Sequence, residues 1–414
     1  MNKSMSFTRS ELRNVQAVMD EYGSYLNLAA NENSMSQTAR QYLPTVASDR
    51  YYFQANCEEY SDFPEFVASG NSAFDALIAE TKHTLGEMFN SEYVNLNPLS
   101  GIHAMLMVLL SFTDAGETVA SLSPQAHGHF STAAVVGRIG RKSVFLPITG
   151  GGSIDKDALR EFIHEHSPRM IYIDAMSYQH PFDIQSIRDA VGEEVLIVFD
   201  ASHTLGLIAG DAFPDPFESG ADVVCGNTHK TFPGPHRGLI LVKKQSLGDV
   251  LDKNGSNLYS TVQGGTLIAL AVTVAEMQIY IRKYAADIIK NAQALQVSLV
   301  HEEFILADVP LTENHQVHIT RTDRGSAIEL MKKLKNQGIL THVCYGSTEG
   351  FYVRIGTQEI TRRGMGEQEM GQIAALVRRI DRGQDCRLDV IELNKRFNNI
   401  YYSFDEGSSR NEEH

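Results

Sequence analysis

Cysteine is scarce in this chain, positive charge is in deficit, and long apolar runs are missing. The cysteines number four, at positions 57, 225, 344 and 386, and none forms a C-x-x-C pair. That spacing argues against a disulfide framework or a thiolate metal site and reads as reduced thiols, with no metal expected. Lys and Arg total 36 against 51 Asp and Glu, a net charge of −15. Such a surface repels nucleic acid and anionic membranes, so neither is expected as a partner. No stretch approaches the ~20 uninterrupted apolar residues of a membrane span. The opening MNKSMSFTRSELRNV has no apolar core of a signal peptide. A cytoplasmic location is the expectation.

What is present is the balance of a folded protein, 43% hydrophobic and 21% charged over 414 residues. That length exceeds one ordinary core and predicts two domains. Residues 1–25 read as a polar, helix-prone arm. Short apolar runs then alternate with amphipathic segments. Thr118–Leu122, Met170–Ile173, Val195–Phe199, Val223–Cys225 and Gly238–Val242 read as buried strands; Asp155–His166 and Ile184–Val191 have helical spacing. This alternation predicts an α/β fold with a parallel sheet covered on both faces. Ala269–Leu299 forms one long helical pattern, a spine between domains. Val317–Ile319, Ser326–Gln337, Gly350–Ile355 and Glu367–Arg382 then outline a small α/β domain. The expected divisions are an arm at 1–25, a large domain at 26–280, a small one at 281–404 and an acidic tail at 405–414.

Ligands of open parallel sheets sit beyond the carboxyl ends of the strands. Asp200 ends the apolar run Val195–Phe199. A carboxylate there needs a cation, such as a protonated pyridine nitrogen, or else it caps the next helix. Lys230 follows Val223-Val224-Cys225-Gly226-Asn227-Thr228-His229, one β-α-β step after Asp200. Burial there would lower its pKa and make the amine a nucleophile. Ser100 and Gly101 open the apolar helical run Ile102–Phe112 and offer backbone N–H groups to a phosphate, or form an ordinary N-cap. Arg354, inside Tyr352-Val353-Arg354-Ile355-Gly356, requires an anion, either a substrate carboxylate or a structural partner.

With these residues in place, the chain resembles the serine hydroxymethyltransferase family from about Tyr25 to Ile380. The matches are Asp200-Ala201-Ser202-His203 with Gly206–Gly210, Thr228-His229-Lys230-Thr231 with Gly234-Pro235, and Arg354-Ile355-Gly356-Thr357 with Ile360–Gly364. The resemblance implies a fold type I pyridoxal-phosphate-dependent transferase, its large domain built on a mainly parallel seven-stranded sheet. It implies pyridoxal 5'-phosphate held by Lys230 as a Schiff base, with Asp200 on the pyridine nitrogen and His203 at the phenolic oxygen. His127, in Ala126-His127-Gly128-His129, is implied as the imidazole stacked on the ring. Ser100, Gly101, Thr228 and His229 are implied to contact the cofactor. Arg354, Asn31 and Glu32 are implied to bind an amino-acid substrate. Tyr51, Gly264 and Gly265 match residues given to a neighbouring subunit, which implies a homodimer with shared active sites.

The departures bear on the reaction. Phe53 stands where the family keeps an acid–base glutamate, and Phe66–Gly70 shows no counterpart of its paired tyrosines. His236 replaces a family arginine, with Arg237 one place on. The segment before the arginine strand, part of the family's folate site, is shortened to Cys344–Gly350. The expected activity is at Cα–Cβ of a β-hydroxy-α-amino acid or of glycine, of aldolase, transaldolase or hydroxymethyltransferase type, without folate. His127, His129 and Glu32 are the candidate bases. The alternatives are a true serine hydroxymethyltransferase, an aminotransferase or other α-carbon enzyme, and, least favoured, a non-catalytic cofactor-binding protein.

Overall fold

The structure, a computed structural model, describes residues 4–52, 70–148, 155–306, 310–346 and 350–406. Phe53, Cys57, most of the 66–70 segment, residues 347–349 and the end of the tail lie outside them.

The strands are β1 (Leu26–Asn27), β2 (Tyr93–Asn95), β3 (Thr118–Ser121), β4 (Lys142–Phe145), β5 (Met170–Ile173), β6 (Leu196–Asp200), β7 (Val223–Asn227), β8 (Gly238–Val242), β9 (Gln316–Arg321), β10 (Ile339–Leu340), β11 (His342–Gly346) and β12 (Gly350–Gly356). The helices used below are α1 (Ser4–Gly23), α2 (Ser72–Phe89), α3 (Gly101–Phe112), α4 (Thr132–Arg138), α5 (Lys156–His166), α6 (Ile184–Val191), α7 (Gly264–His301), α8 (Arg324–Asn336) and α9 (Glu367–Asp381).

Seven strands form one sheet in the order β2-β8-β7-β6-β5-β3-β4. The run β4-β3-β5-β6-β7 is parallel, and β8 is antiparallel to both β7 and β2. β5 is buried throughout and β6 along its middle, because helices cover both faces. Ile171, Ile173, Ile197 and Phe199 face a core that includes Ile184 and Ile187 of α6 and Leu85 of α2. Met170, Tyr172 and Val198 face the other core, against Met105 and Val108 of α3. Each such buried side chain stabilises the sheet by roughly 1.5–3 kcal/mol.

A second sheet of three antiparallel strands, β11-β12-β9, carries α8 and α9. The helix α7 spans both units. Leu270, Val274, Met277 and Ile281 pack in the first core, while Ala292, Leu295 and Leu299 pack in the second. The expected start of the large domain at residue 26 differs from the packing. Leu26 and Leu28 sit in the C-terminal core, because β1 pairs in parallel with β10.

Candidate active site

The carboxyl ends of β5, β6 and β7 meet the first turn of α3 around a cleft. Its lining includes Gly101, His129, Asp174, Asp200, His203 and Lys230.

Lys230 lies in the tight connection from β7 back to antiparallel β8. Thr228 organises that connection. Its Oγ1 donates to the carbonyl of Pro235 at 2.6 Å, and its own carbonyl accepts the Gly234 N–H at 2.7 Å. Gly234 is required there, since a Cβ would stand 2.8 Å from that carbonyl oxygen. The Thr228 hydroxyl is therefore committed to the loop and not to the cleft. Asn33 donates to the Lys230 carbonyl at 2.5 Å and fixes the loop from the chain's N-terminal part. The buried ammonium loses hydration, which lowers the Lys230 pKa to about 8, with Asp200 opposing the shift and Arg354 adding to it.

Asp200 ends β6, paired with Cys225 on β7. It accepts from the Ser202 N–H at 2.9 Å and from the Tyr172 hydroxyl at 3.3 Å, and among the described residues it has no ion pair. His203 places its Nε2 3.3 Å from Lys230 Nζ. Behind it, Nδ1 meets the Gln316 amide at 3.4 Å and the ring stacks on His315 at 5.8 Å. Burial, then the charges of Lys230 and Arg354, hold the His203 pKa well below its ordinary value.

Several expected residues are placed otherwise. His127 is buried, with its Nδ1 3.5 Å from the Tyr352 hydroxyl, and it does not line the cleft. His129 does. His127 sits at φ 68°, at the end of the short turn Pro124–Ala126. The Ser131 hydroxyl holds His129 Nδ1 at 2.7 Å, and burial lowers its pKa below the ordinary value. Of the two imidazoles, His129 is the one that lines the cleft.

The cradle of Ser100 and Gly101 is also reduced. Ser100 Oγ caps α3 by accepting the His103 N–H, and the Gly101 N–H donates to Asn227 Oδ1 at 2.8 Å. Gly101 is glycine because a Cβ would stand 2.6 Å from that amide. Ile102 supplies the remaining first-turn N–H. Asn31 and Glu32 do not line the cleft: Glu32 Oε2 accepts from Asn27 at 3.0 Å, and Asn31 Oδ1 is buried without a partner among the described residues. Tyr51 is 64% exposed, outside the cleft. Gly264 and Gly265 begin α7 under residues 42–48, where a Cβ on Gly265 would stand 1.9 Å from Ser48 Oγ. His229 stacks on His236 at 3.7 Å, and burial takes its pKa to about 3. Arg237 does not stand in for the absent arginine. It is buried and donates inward to the Leu96 and Val262 carbonyls, both at 2.5 Å.

Arg354 lies on β12 opposite His318 and His342. It is 5% exposed, donates to the Met176 carbonyl at 2.5 Å, and leaves its Nε without a partner among the described residues. A buried guanidinium with spare donors suits a carboxylate.

Three residues beyond expectation also belong to the site: Asn33, Ser202 and Asp174. Ser202 lines the cleft and its hydroxyl accepts from Asn227 at 3.1 Å, so its own proton remains to donate. Asp174 is 4% exposed just beyond β5. The position of Asp174 after an apolar strand was the available sequence signal; nothing local marks Asn33.

The cleft fits pyridoxal phosphate. It combines a buried amine near neutrality, a carboxylate without an ion pair for a ring N–H, an imidazole at the side, and Ser202 with the Ile102 N–H for an anion.

The sequence model of serine hydroxymethyltransferase matches residues 10–377. The serine hydroxymethyltransferase of Methanosphaera stadtmanae is 32% identical, over 92% of this chain and 92% of its own. The fluorothreonine transaldolase of Streptantibioticus cattleyicolor is 30% identical over 93% of this chain, which spans 62% of that protein's length. Among solved structures, L-threonine transaldolase from Pseudomonas fluorescens, in its internal aldimine state, superposes with a TM-score of 0.89. It covers 99% of this chain and 98% of its own, at 24% identity.

Proposed function

The chain belongs to the serine hydroxymethyltransferase family and is a pyridoxal-phosphate enzyme of fold type I; from that footing we propose that it makes or breaks the Cα–Cβ bond of a β-hydroxy-α-amino acid without folate, as a threonine-type transaldolase or aldolase. The observation that carries this reading is a split. The cofactor and carboxylate groups Lys230, Asp200, His203 and Arg354 are gathered, while Phe53 occupies the place matched to the family's acid–base glutamate. The similarity to a fluorothreonine transaldolase supports it.

When bound, pyridoxal phosphate supplies an electron sink for a carbanion at Cα. The chain's own residues do the rest. Asp200 would hold the ring nitrogen and favour its protonated form. Arg354 grips the α-carboxylate and orients the bonds at Cα. His129, neutral at pH 7 because burial lowers its pKa and held by Ser131, takes the proton from the β-hydroxyl. Only three residues, 347–349, separate β11 from β12, in the segment matched to the family's folate site.

The reading includes a homodimer. Ile102, at the cleft, and Phe130, stacked on His129 at 4.6 Å, are 49% and 71% exposed, and a second subunit would cover such apolar groups.

The test is cleavage of threonine and serine, and exchange with an added aldehyde, with and without tetrahydrofolate. Threonine cleavage or aldehyde exchange without tetrahydrofolate is expected. Serine-to-glycine conversion that rises more than about 10²-fold on adding tetrahydrofolate would instead establish a hydroxymethyltransferase, the reading that the 32% identity to the Methanosphaera stadtmanae enzyme favours.

A further inference from the structure

Asp174 is a carboxyl group in an unusual setting. It follows β5, lies 4% exposed, and lines the same cleft as Asp200, which ends the neighbouring strand β6. Its Oδ2 accepts the His129 N–H at 3.3 Å, its carbonyl accepts the same N–H at 3.2 Å, and the Thr132 hydroxyl beside the carboxyl favours the charged form. Its Oδ1 is buried with no partner among the described residues. The titratable groups around it are Tyr172 on its own strand, Asp200 on β6, His129 before α4, and His203 and Lys230 in the same cleft. It has no ion pair with any of them. A carboxylate so buried, with a second carboxyl group beside it, is costly even with the His129 N–H and the Thr132 hydroxyl near it, whereas the carboxylic acid is not.

We propose that Asp174 is the protonated member of a carboxyl pair with Asp200, a positioning residue that seats His129 in the cleft and leaves Asp200 as the single negative charge facing the cofactor ring. Ordinary carboxyl placement would ionise both groups and put two negative charges at one end of the ring. Burial raises the Asp174 pKa to about 7, with the Thr132 hydroxyl opposing the shift and the Asp200 charge adding to it, so the pair changes charge within the working range of an enzyme. As pH rises, Asp174 releases its proton to solvent and no other bond changes.

The experiment is infrared difference spectroscopy of the purified protein between pH 6 and pH 8, in the wild type, Asp174→Asn and Asp200→Asn, read before and after loading with pyridoxal phosphate. The unloaded arm stands whether or not the transaldolase reading holds. The expected result is a protonated-carboxyl carbonyl band that titrates out near pH 7 in the wild type, separate from that of buried Glu359 near pH 6; it is missing in Asp174→Asn and titrates out at lower pH in Asp200→Asn. In the loaded protein, the cofactor absorbance should shift across the same interval in the wild type, and that component should vanish in Asp174→Asn. No such band in the wild type, its survival in Asp174→Asn, or a midpoint unmoved by Asp200→Asn overturns the proposal. Should Asp174→Asn not fold, the midpoint in Asp200→Asn decides the matter alone.

Discussion

The Nζ of Lys230 and the Nε2 of His203 stand 3.3 Å apart, and both groups are held toward their neutral forms. Two cations at that distance would repel strongly in a low-dielectric cleft. The imidazole instead meets the amine as a hydrogen-bonding partner, and the His315 ring and the Gln316 amide keep it there.

Lys230 should therefore be the residue that borohydride fixes to the cofactor. With its pKa at about 8, the reactive neutral amine is roughly a tenth of the population at pH 7 and half at pH 8. Loading of cofactor-free protein should accelerate about fivefold over that interval and level off above it. Stopped-flow absorbance measures this, and peptide mapping identifies the lysine. Modification elsewhere would refute the assignment.

Asp200→Asn should fold, because the Ser202 N–H can still donate to the amide oxygen while the amide NH2 donates to the Tyr172 hydroxyl oxygen. It should lose at least about 10² in turnover, because a neutral amide cannot favour the ring N–H by charge. Near-normal turnover at unchanged cofactor occupancy would contradict the pairing.

His129 and His127 should separate cleanly. His129→Asn is expected to lower turnover by ~10²–10⁴, the range for loss of an acid–base group. His127→Asn should keep most activity, since asparagine accepts the left-handed backbone at φ 68° and the ring lies outside the cleft lining. Equal losses in both variants would return the role to His127.

Glu276 and Arg362 form a fully buried ion pair at 3.3 Å between α7 and the segment after β12. Glu276→Leu leaves the guanidinium uncompensated and should destabilise the protein by about 3–5 kcal/mol. Urea unfolding followed by circular dichroism reads this. A change below about 1 kcal/mol would show that the Tyr402 carbonyl, which Arg362 also contacts, suffices.

The sequence by itself determined the buried strands and the groups at their ends. β5 and β8 run over the residues expected of them, Met170–Ile173 and Gly238–Val242, because strands covered on both faces must be continuously apolar. Asp200 and Lys230 were legible for the same reason, since a charge that ends such a run stands out locally, whereas His203 was legible only through the family resemblance. β1, β4 and β10 were not legible. β4 is an edge strand with exposed Lys142 and Phe145, and β1 and β10 are two residues each, held only by each other. Tertiary structure alone decided the rest of the site. That His129 and not His127 lines the cleft is a matter of how the chain turns there, with His127 at φ 68°. Whether Gly101 can serve a phosphate depends on Asn227, 126 residues away in sequence, reaching its N–H first. Asp174 acquires its character from burial beside Asp200, across two strands that only the folded sheet makes neighbours. Hydrophobic periodicity is a local property of the chain, whereas hydrogen-bond competition and desolvation belong to the groups that folding brings together.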